Sequence, residues 1–168
     1  RLMHGQSNGT FTPAPNNPFS FRPGDRDVHS CDAADVASQS GGPDGLPDIF
    51  VTKGGDNGTD LQEPDLWVQT SSGTFLDLTS QRGLAAAASR GRDGVFAHIN
   101  GDGFLDLVTA ALGSPSNNSF NKLFINQGNG HFTEKALPTL NGSRLTDAEA
   151  MAVIPDPNRF SSIVYTRK

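Results

Sequence analysis

The chain has one cysteine, Cys31, no long apolar run and few basic residues, and each shortage rules something out. A single thiol forms no internal disulfide framework, and 168 residues can bury a core without one. Cys31 therefore reads as a small buried side chain. The longest apolar candidate, residues 84 to 88, is mostly alanine. It falls far short of the roughly 20 residues a membrane-spanning helix needs, so a soluble chain with no membrane span is expected. Lys and Arg number 13 against 18 Asp and Glu, a net charge of −5, and they are scattered singly. No basic stripe is available to neutralise a phosphate backbone, which argues against a nucleic-acid partner. The sequence opens at Arg1 with neither an initiator methionine nor a signal-peptide pattern, and reads as a processed product or as part of something longer.

Catalytic signatures are also missing. The four histidines, His4, His29, His98 and His131, show no His-Glu-X-X-His spacing, and neither a Gly-X-Ser-X-Gly elbow nor a phosphate-cradling loop occurs. No enzyme activity is expected.

What the chain does have is punctuation. Nineteen Gly and 11 Pro separate short runs of Phe, Val, Ile, Leu and Thr, which predicts an all-β fold of short strands and many turns. Four Asn-X-Ser/Thr sequons begin at Asn8, Asn57, Asn117 and Asn141, all in Gly- or Ser-rich stretches that read as exposed loops. They favour a secreted, extracellular glycoprotein.

Three segments superimpose without gaps: RLMHGQSNGTFTPA (1–14), DLWVQTSSGTFLDL (65–78) and KLFINQGNGHFTEK (122–135). Leu2, Leu66 and Leu123 fall in register, followed by Met3, Trp67 and Phe124. A turn with Gly9, Gly73 and Gly130 comes next, then Phe11, Phe75 and Phe132. Each segment reads as strand, tight turn, strand, with Asn8-Gly9 and Asn129-Gly130 suiting a type I′ hairpin. The register with Phe124 predicts Trp67 as a core residue.

A second unit precedes two of these hairpins. CDAADVASQSGGPDGLPDIFVT (31–52) aligns with GVFAHINGDGFLDLVTA (94–110), placing Asp35 opposite His98, Asp44 opposite Asp102 and Asp48 opposite Asp106. An apolar strand enters a polar loop and leaves as another apolar strand, so hairpin plus hairpin makes a four-stranded unit. Such units recurring at this spacing match β-propeller blades of four antiparallel strands. Residues 85 to 88 suit either a short helical turn between units or a small-residue strand.

The compact loop, His98 to Asp106, places oxygen ligands at positions 3, 5 and 9 (Asn100, Asp102, Asp106), with glycine at 6 and the Phe104 carbonyl at 7. That spacing wraps one segment around a hard cation, and calcium fits it. Flanking helices and a closing Glu are absent, so it is no EF-hand. Gly-Asp turns also form without metal, because aspartate caps its own backbone.

The pattern Asp-X-Asn/Asp-X-Asp-Gly-X-X-Asp-Leu between two strands, followed by the hairpin NKLFINQGNGHFT, resembles the FG-GAP/VCBS repeats of integrin-α-type propellers. Related repeats occur in fungal lectins and other secreted proteins. The resemblance implies a calcium ion in the loop joining the first two strands of a blade. Carried over by position, its ligands are Asn100, Asp102, the Phe104 carbonyl and Asp106 in one loop. In the other they are Asp35, Asp44, the Leu46 carbonyl and Asp48. In the first-listed loop His98 stands in for an Asp, and imidazole is a poor calcium ligand, which implies weaker binding rather than zinc. In the other, residues 38 to 43 are an insertion that leaves position 3 to a neighbour of Ala37 or to water. A third unit from Asp147 to Lys168 carries Pro155-Asp156-Pro157-Asn158 in place of the acidic loop and is expected to have lost its metal.

The expected organisation is a closing hairpin over 1–17, full blades over 28–81 and 94–137, and an opening hairpin over 147–168. That makes about three blades' worth of strands, two complete plus two terminal half-blades. A closed propeller usually has four to eight blades, so a partial propeller, completed by another chain or by the rest of a longer protein, is expected. The functional classes that follow are a calcium-binding extracellular scaffold for adhesion, recognition or assembly, able to polymerise head to tail into a ring or filament, and a carbohydrate-binding, lectin-like module. Other copies of the chain, glycans and extracellular proteins are the partners these imply.

Overall fold

The computed structural model describes residues 2–14, 27–54, 61–113, 119–137, 148–154 and 161–167. Twelve strands and one 3₁₀ turn make up the described structure. A hairpin comes first, β1 (Met3–Gly5) with β2 (Phe11–Pro13). A four-stranded antiparallel sheet follows in chain order: β3 (Val28–Ala34), β4 (Asp48–Lys53), β5 (Asp65–Gln69) and β6 (Phe75–Asp77). A second sheet repeats that order with β7 (Gly91–Ala97), β8 (Asp106–Ala111), β9 (Lys122–Asn126) and β10 (Phe132–Lys135). Another hairpin, β11 (Ala148–Ile154) with β12 (Ser162–Arg167), closes the series. The all-β expectation holds, and the two four-stranded sheets have the form of blades. Among the described residues no closed ring forms.

Strand register confirms the aligned segments. Gly5 faces Phe11, Gln69 faces Phe75 and Asn126 faces Phe132, the same pairing three times. The turns, however, are not type I′. Among the described residues only Asp27 is a non-glycine with positive φ, so Asn8 and Asn129 stay out of the left-handed region. In the first hairpin the Gly9 N–H bonds the Gln6 carbonyl at 3.0 Å and the Gln6 N–H bonds the Thr10 carbonyl at 2.8 Å. This is a three-residue loop: a type I turn closed by a left-handed glycine. The 70–74 loop repeats it with 2.8 Å for both bonds. Asn8 serves instead as an acceptor, its Oδ1 taking the Thr10 N–H at 3.0 Å.

Residues 85–87 form a 3₁₀ turn in the connection between the sheets, which settles the choice left open above. The connection is tied to both sheets: the Arg82 carbonyl accepts the Phe132 N–H at 2.8 Å, and its guanidinium donates to the Ser38 carbonyl.

The sheets stack through their first strands, β3 along β7 and β7 along β11. Their shared core contains Val36, Phe50, Leu66, Val68, Leu84, Phe96, Leu107, Phe124 and Phe132. The Phe50 ring meets Phe96 edge-on at 6.1 Å, and Phe96 meets Phe132 at 6.5 Å. Gly94 makes this possible, since a Cβ there would lie 2.5 Å from the Phe50 ring. An aspartate on each first strand also reaches the next one. Asp32 accepts the Phe96 N–H and Asp93 accepts the Met151 N–H, both at 2.8 Å.

Cys31 is exposed, contrary to the sequence expectation. Its side chain points to the side of β3 away from β7, where no sheet of the described chain lies. Trp67, on the same side of the first sheet, is half-buried, whereas its counterpart Phe124 is fully buried.

Candidate functional site

Both acidic loops join the first strand of a sheet to its second, and each ends on an aspartate that opens the second strand. Asp48 and Asp106 are wholly buried. Asp48 Oδ2 accepts the N–H groups of Val36 and Ala37 at 3.0 and 2.9 Å, while Oδ1 accepts that of Gln69 at 3.0 Å. Asp106 Oδ2 accepts the Ile99 N–H at 3.1 Å and Oδ1 that of Asn126 at 3.0 Å. Gln69 and Asn126 are register equivalents at the ends of β5 and β9. One carboxylate therefore ties the loop entrance, the second strand and the third strand together. Burial raises both carboxyls above the ordinary aspartate range, against the lowering effect of these N–H donors. The charges of Asp35 and Asp102 push them slightly further in the same direction.

In the 98–106 loop, His98 Nδ1 lies 3.1 Å from the Phe104 carbonyl. Asn100 Nδ2 donates to Asp102 Oδ2 at 2.7 Å, Asn100 Oδ1 accepts the Asp102 N–H at 3.0 Å, and Asp102 Oδ1 accepts the Phe104 N–H at 2.9 Å. Glycines at 101 and 103, with φ of 76° and 92°, let the segment curl back on itself. Four of the expected ligands, His98, Asn100, Asp102 and the Phe104 carbonyl, are thus linked by direct hydrogen bonds. The fifth, Asp106, faces the strand ladder and accepts the Ile99 and Asn126 N–H groups.

The 35–48 loop is organised differently. Asp35 Oδ1 accepts the Asp44 N–H at 2.9 Å and Oδ2 the Gly45 N–H at 2.7 Å, while Asp44 Oδ1 accepts the Leu46 N–H at 3.1 Å. Ala37, at position 3, is fully buried, and the carbonyl of its neighbour Ser38 is taken by Arg82. The inserted residues pack instead against the hairpin of the second sheet, Gly42 beside the Gly128 carbonyl and Gly41 beside Gly130. Among the described residues no group of three or more His, Cys, Asp and Glu side chains converges closely enough to hold a metal ion.

The donor chemistry of the two loops therefore differs in its fit to calcium. In 98–106, three side chains and one carbonyl offer oxygen (Asn100, Asp102, Asp106 and Phe104), and a hard cation completed by water is compatible with them. In 35–48 the insertion removes position 3. The degenerate loop of the third unit, 155–160, and the sequons at Asn57, Asn117 and Asn141 lie outside the described residues. Asn8 is exposed in its turn.

One partner escaped the sequence reading. Asn126 is buried and reaches across the sheets, donating from Nδ2 to the Val36 carbonyl at 3.1 Å while its Oδ1 accepts the Gly128 N–H at 3.0 Å. Its signal was the Asn that ends the strand in NKLFIN, directly before the Gly-rich turn.

Repeated four-stranded sheets, stacked through their first strands and carrying an aspartate-anchored loop between strands one and two, define a β-propeller-type repeat module. Residues 43–109 match the family model for the FG-GAP-like repeat. That stretch, from the end of the first acidic loop through the second loop and into β8, is similar to an FG-GAP-like repeat. No curated protein matches the chain.

Proposed function

We propose that the chain is an extracellular, calcium-stabilised β-propeller-type scaffold that serves in adhesion or recognition, with the 98–106 loop as its calcium site. The observation that supports this is the buried Asp106, which couples whatever happens in the loop to β8 and β9 at once. Calcium held by Asn100, Asp102, the Phe104 carbonyl and Asp106 would stiffen the hairpin and supply the positive charge that the buried carboxylate lacks. The 35–48 loop has an insertion at position 3 and contributes little to binding in this reading.

The test is thermal unfolding in EDTA and in millimolar CaCl₂. Extracellular calcium modules bind with dissociation constants of about 10⁻⁴–10⁻³ M, so a tenfold excess contributes about 1.4 kcal/mol. This predicts a rise of about 3–5 °C in Tm for a domain of this size. Asp102→Ala should abolish the rise, and Asp44→Ala should leave it in place. A melting temperature indifferent to calcium sinks the metal reading.

A further inference from the structure

Five Asn-Gly pairs occur in the sequence. Three of them, Asn8-Gly9, Asn100-Gly101 and Asn129-Gly130, lie among the described residues, and those at Asn57 and Asn141 lie outside them. An Asn-Gly pair invites attack of the glycine nitrogen on the asparagine Cγ, because glycine has no side chain to hinder the approach. The three described pairs share much. Each asparagine is exposed, the glycines have φ of 80°, 76° and 72°, and each asparagine Oδ1 accepts the N–H two residues on at 3.0 Å. They differ at the attacking nitrogen. The Gly9 N–H is held by the Gln6 carbonyl at 3.0 Å. Gly130 is buried, with Ala37 and the Gly41 carbonyl against it. Gly101 is partly exposed, and nothing among the described residues accepts its N–H.

We infer that Asn100 is a site of spontaneous deamidation, and that its aspartate product holds calcium more tightly than the asparagine does. The Gly101 nitrogen gives its proton to hydroxide or water and bonds to Asn100 Cγ. The Cγ–Nδ2 bond breaks, the side-chain nitrogen leaves as ammonia, and a cyclic imide remains. Water then adds to the imide. Opening at the side-chain carbonyl restores the ordinary backbone with an aspartate at position 100, and opening at the main-chain carbonyl gives an isoaspartyl linkage.

The new charge acts on the loop in two ways. Asn100 Nδ2 donates to Asp102 Oδ2 at 2.7 Å. A carboxylate in its place sets two like charges side by side and loosens the loop while no cation is present. With calcium the sign reverses, because a neutral ligand has become an anionic one and affinity is tuned by ligand charge. Deamidation thus makes the loop more dependent on the ion with age. The 35–48 loop gains no such charge, since Ala37 stands at its position 3. The tighter-binding product rests on the calcium reading of the 98–106 loop; the modification itself does not.

The test is peptide mapping by mass spectrometry of the 168-residue chain, aged in mildly alkaline EDTA buffer. The chain is used without glycan, because Asn8 also begins a sequon. A hydrogen bond on the attacking N–H slows the reaction by the factor its free energy sets, so Asn100 should gain the deamidation mass about 3–10-fold faster than Asn8. Asn129, beside a buried glycine, should be slower than Asn100 as well. An Asn100 that reacts no faster than these two overturns the site. Calcium titration of an Asn100→Asp chain beside the wild type then reads the consequence. The dissociation constant of the variant should be about tenfold lower, and an equal or higher one overturns the tighter-binding product. If neither chain binds calcium, the calcium reading and that consequence fall together. The ageing rates, measured in EDTA, decide the modification on their own.

Discussion

The first and second sheets share one strand order and one register, yet they differ at four matched positions. Ala33, Ile49, Trp67 and Phe75 in the first sheet are exposed or half-buried, while Phe96, Leu107, Phe124 and Phe132 in the second are buried. These residues point to the same side of their sheets. The second sheet has the first lying against that side, and the first has no described sheet there. Burial in a stacked repeat is thus set by the neighbour as much as by the strand's own sequence, as expected where each unit buries its apolar face only against the next. The polar contacts follow the same rule. Asn126 bonds across to Val36, and the Asp32 and Asp93 bridges point from one first strand to the next.

The most direct way to break this comparison is a matched pair of deletions. Phe132→Ala should cost about 3–5 kcal/mol, as for a buried aromatic. Phe75→Ala, its half-buried counterpart, should cost about a third of that. Urea unfolding at concentrations where the chain is monomeric measures both, and equal losses would mean that the first sheet's face is covered after all.

A smaller effect is expected at the turns. Gly73 and Gly130 hold the same left-handed conformation, with φ of 76° and 72°. Nothing lies near Gly73, whereas a Cβ at Gly130 would run into the Gly41 carbonyl and Ala37 of the first sheet. Gly73→Ala should cost only the conformational strain, about 1–2 kcal/mol, and Gly130→Ala clearly more, because backbone must move. Chemical denaturation of the two variants side by side decides it.

The smallest effect concerns pH. Burial raises the folded-state pKa of Asp48 and Asp106, so the fold favours their protonated forms. Their contribution is complete below the unfolded value of about 4 and is lost as pH rises through the folded value. In EDTA, the stability of the wild type relative to an Asp106→Asn variant should therefore decline from about pH 4 upward. Calcium should flatten that decline, since a cation favours the ionised carboxylate. Thermal melts across pH 4 to 7 provide the measurement.

Much of this was legible in the chain. The aligned hairpins predicted register because an identical spacing from Gly9, Gly73 and Gly130 to the flanking aromatics leaves only one way to pair the strands. Asp48 and Asp106 stood out as loop ends. The exposure of Cys31 and the half-burial of Trp67 did not, because both depend on which side of a strand faces an adjoining sheet. The turn type was misjudged because Asn-Gly suits two hairpin geometries, and here the Asn side chain accepts a local N–H. The packing of the 38–43 insertion against the second sheet was hidden because it joins residues some 90 positions apart.

The buried aspartates also have a consequence for design. Asp48 and Asp106 fix the entrance and exit of their loops through the same backbone N–H positions, although one loop is five residues longer than the other. Lengthening a loop whose ends are already pinned adds only about 0.6 kcal/mol per doubling. The segment between Ile99 and Asp106 is therefore a natural port, where foreign peptide can be spliced in and displayed on a rigid frame without disturbing the strands beneath.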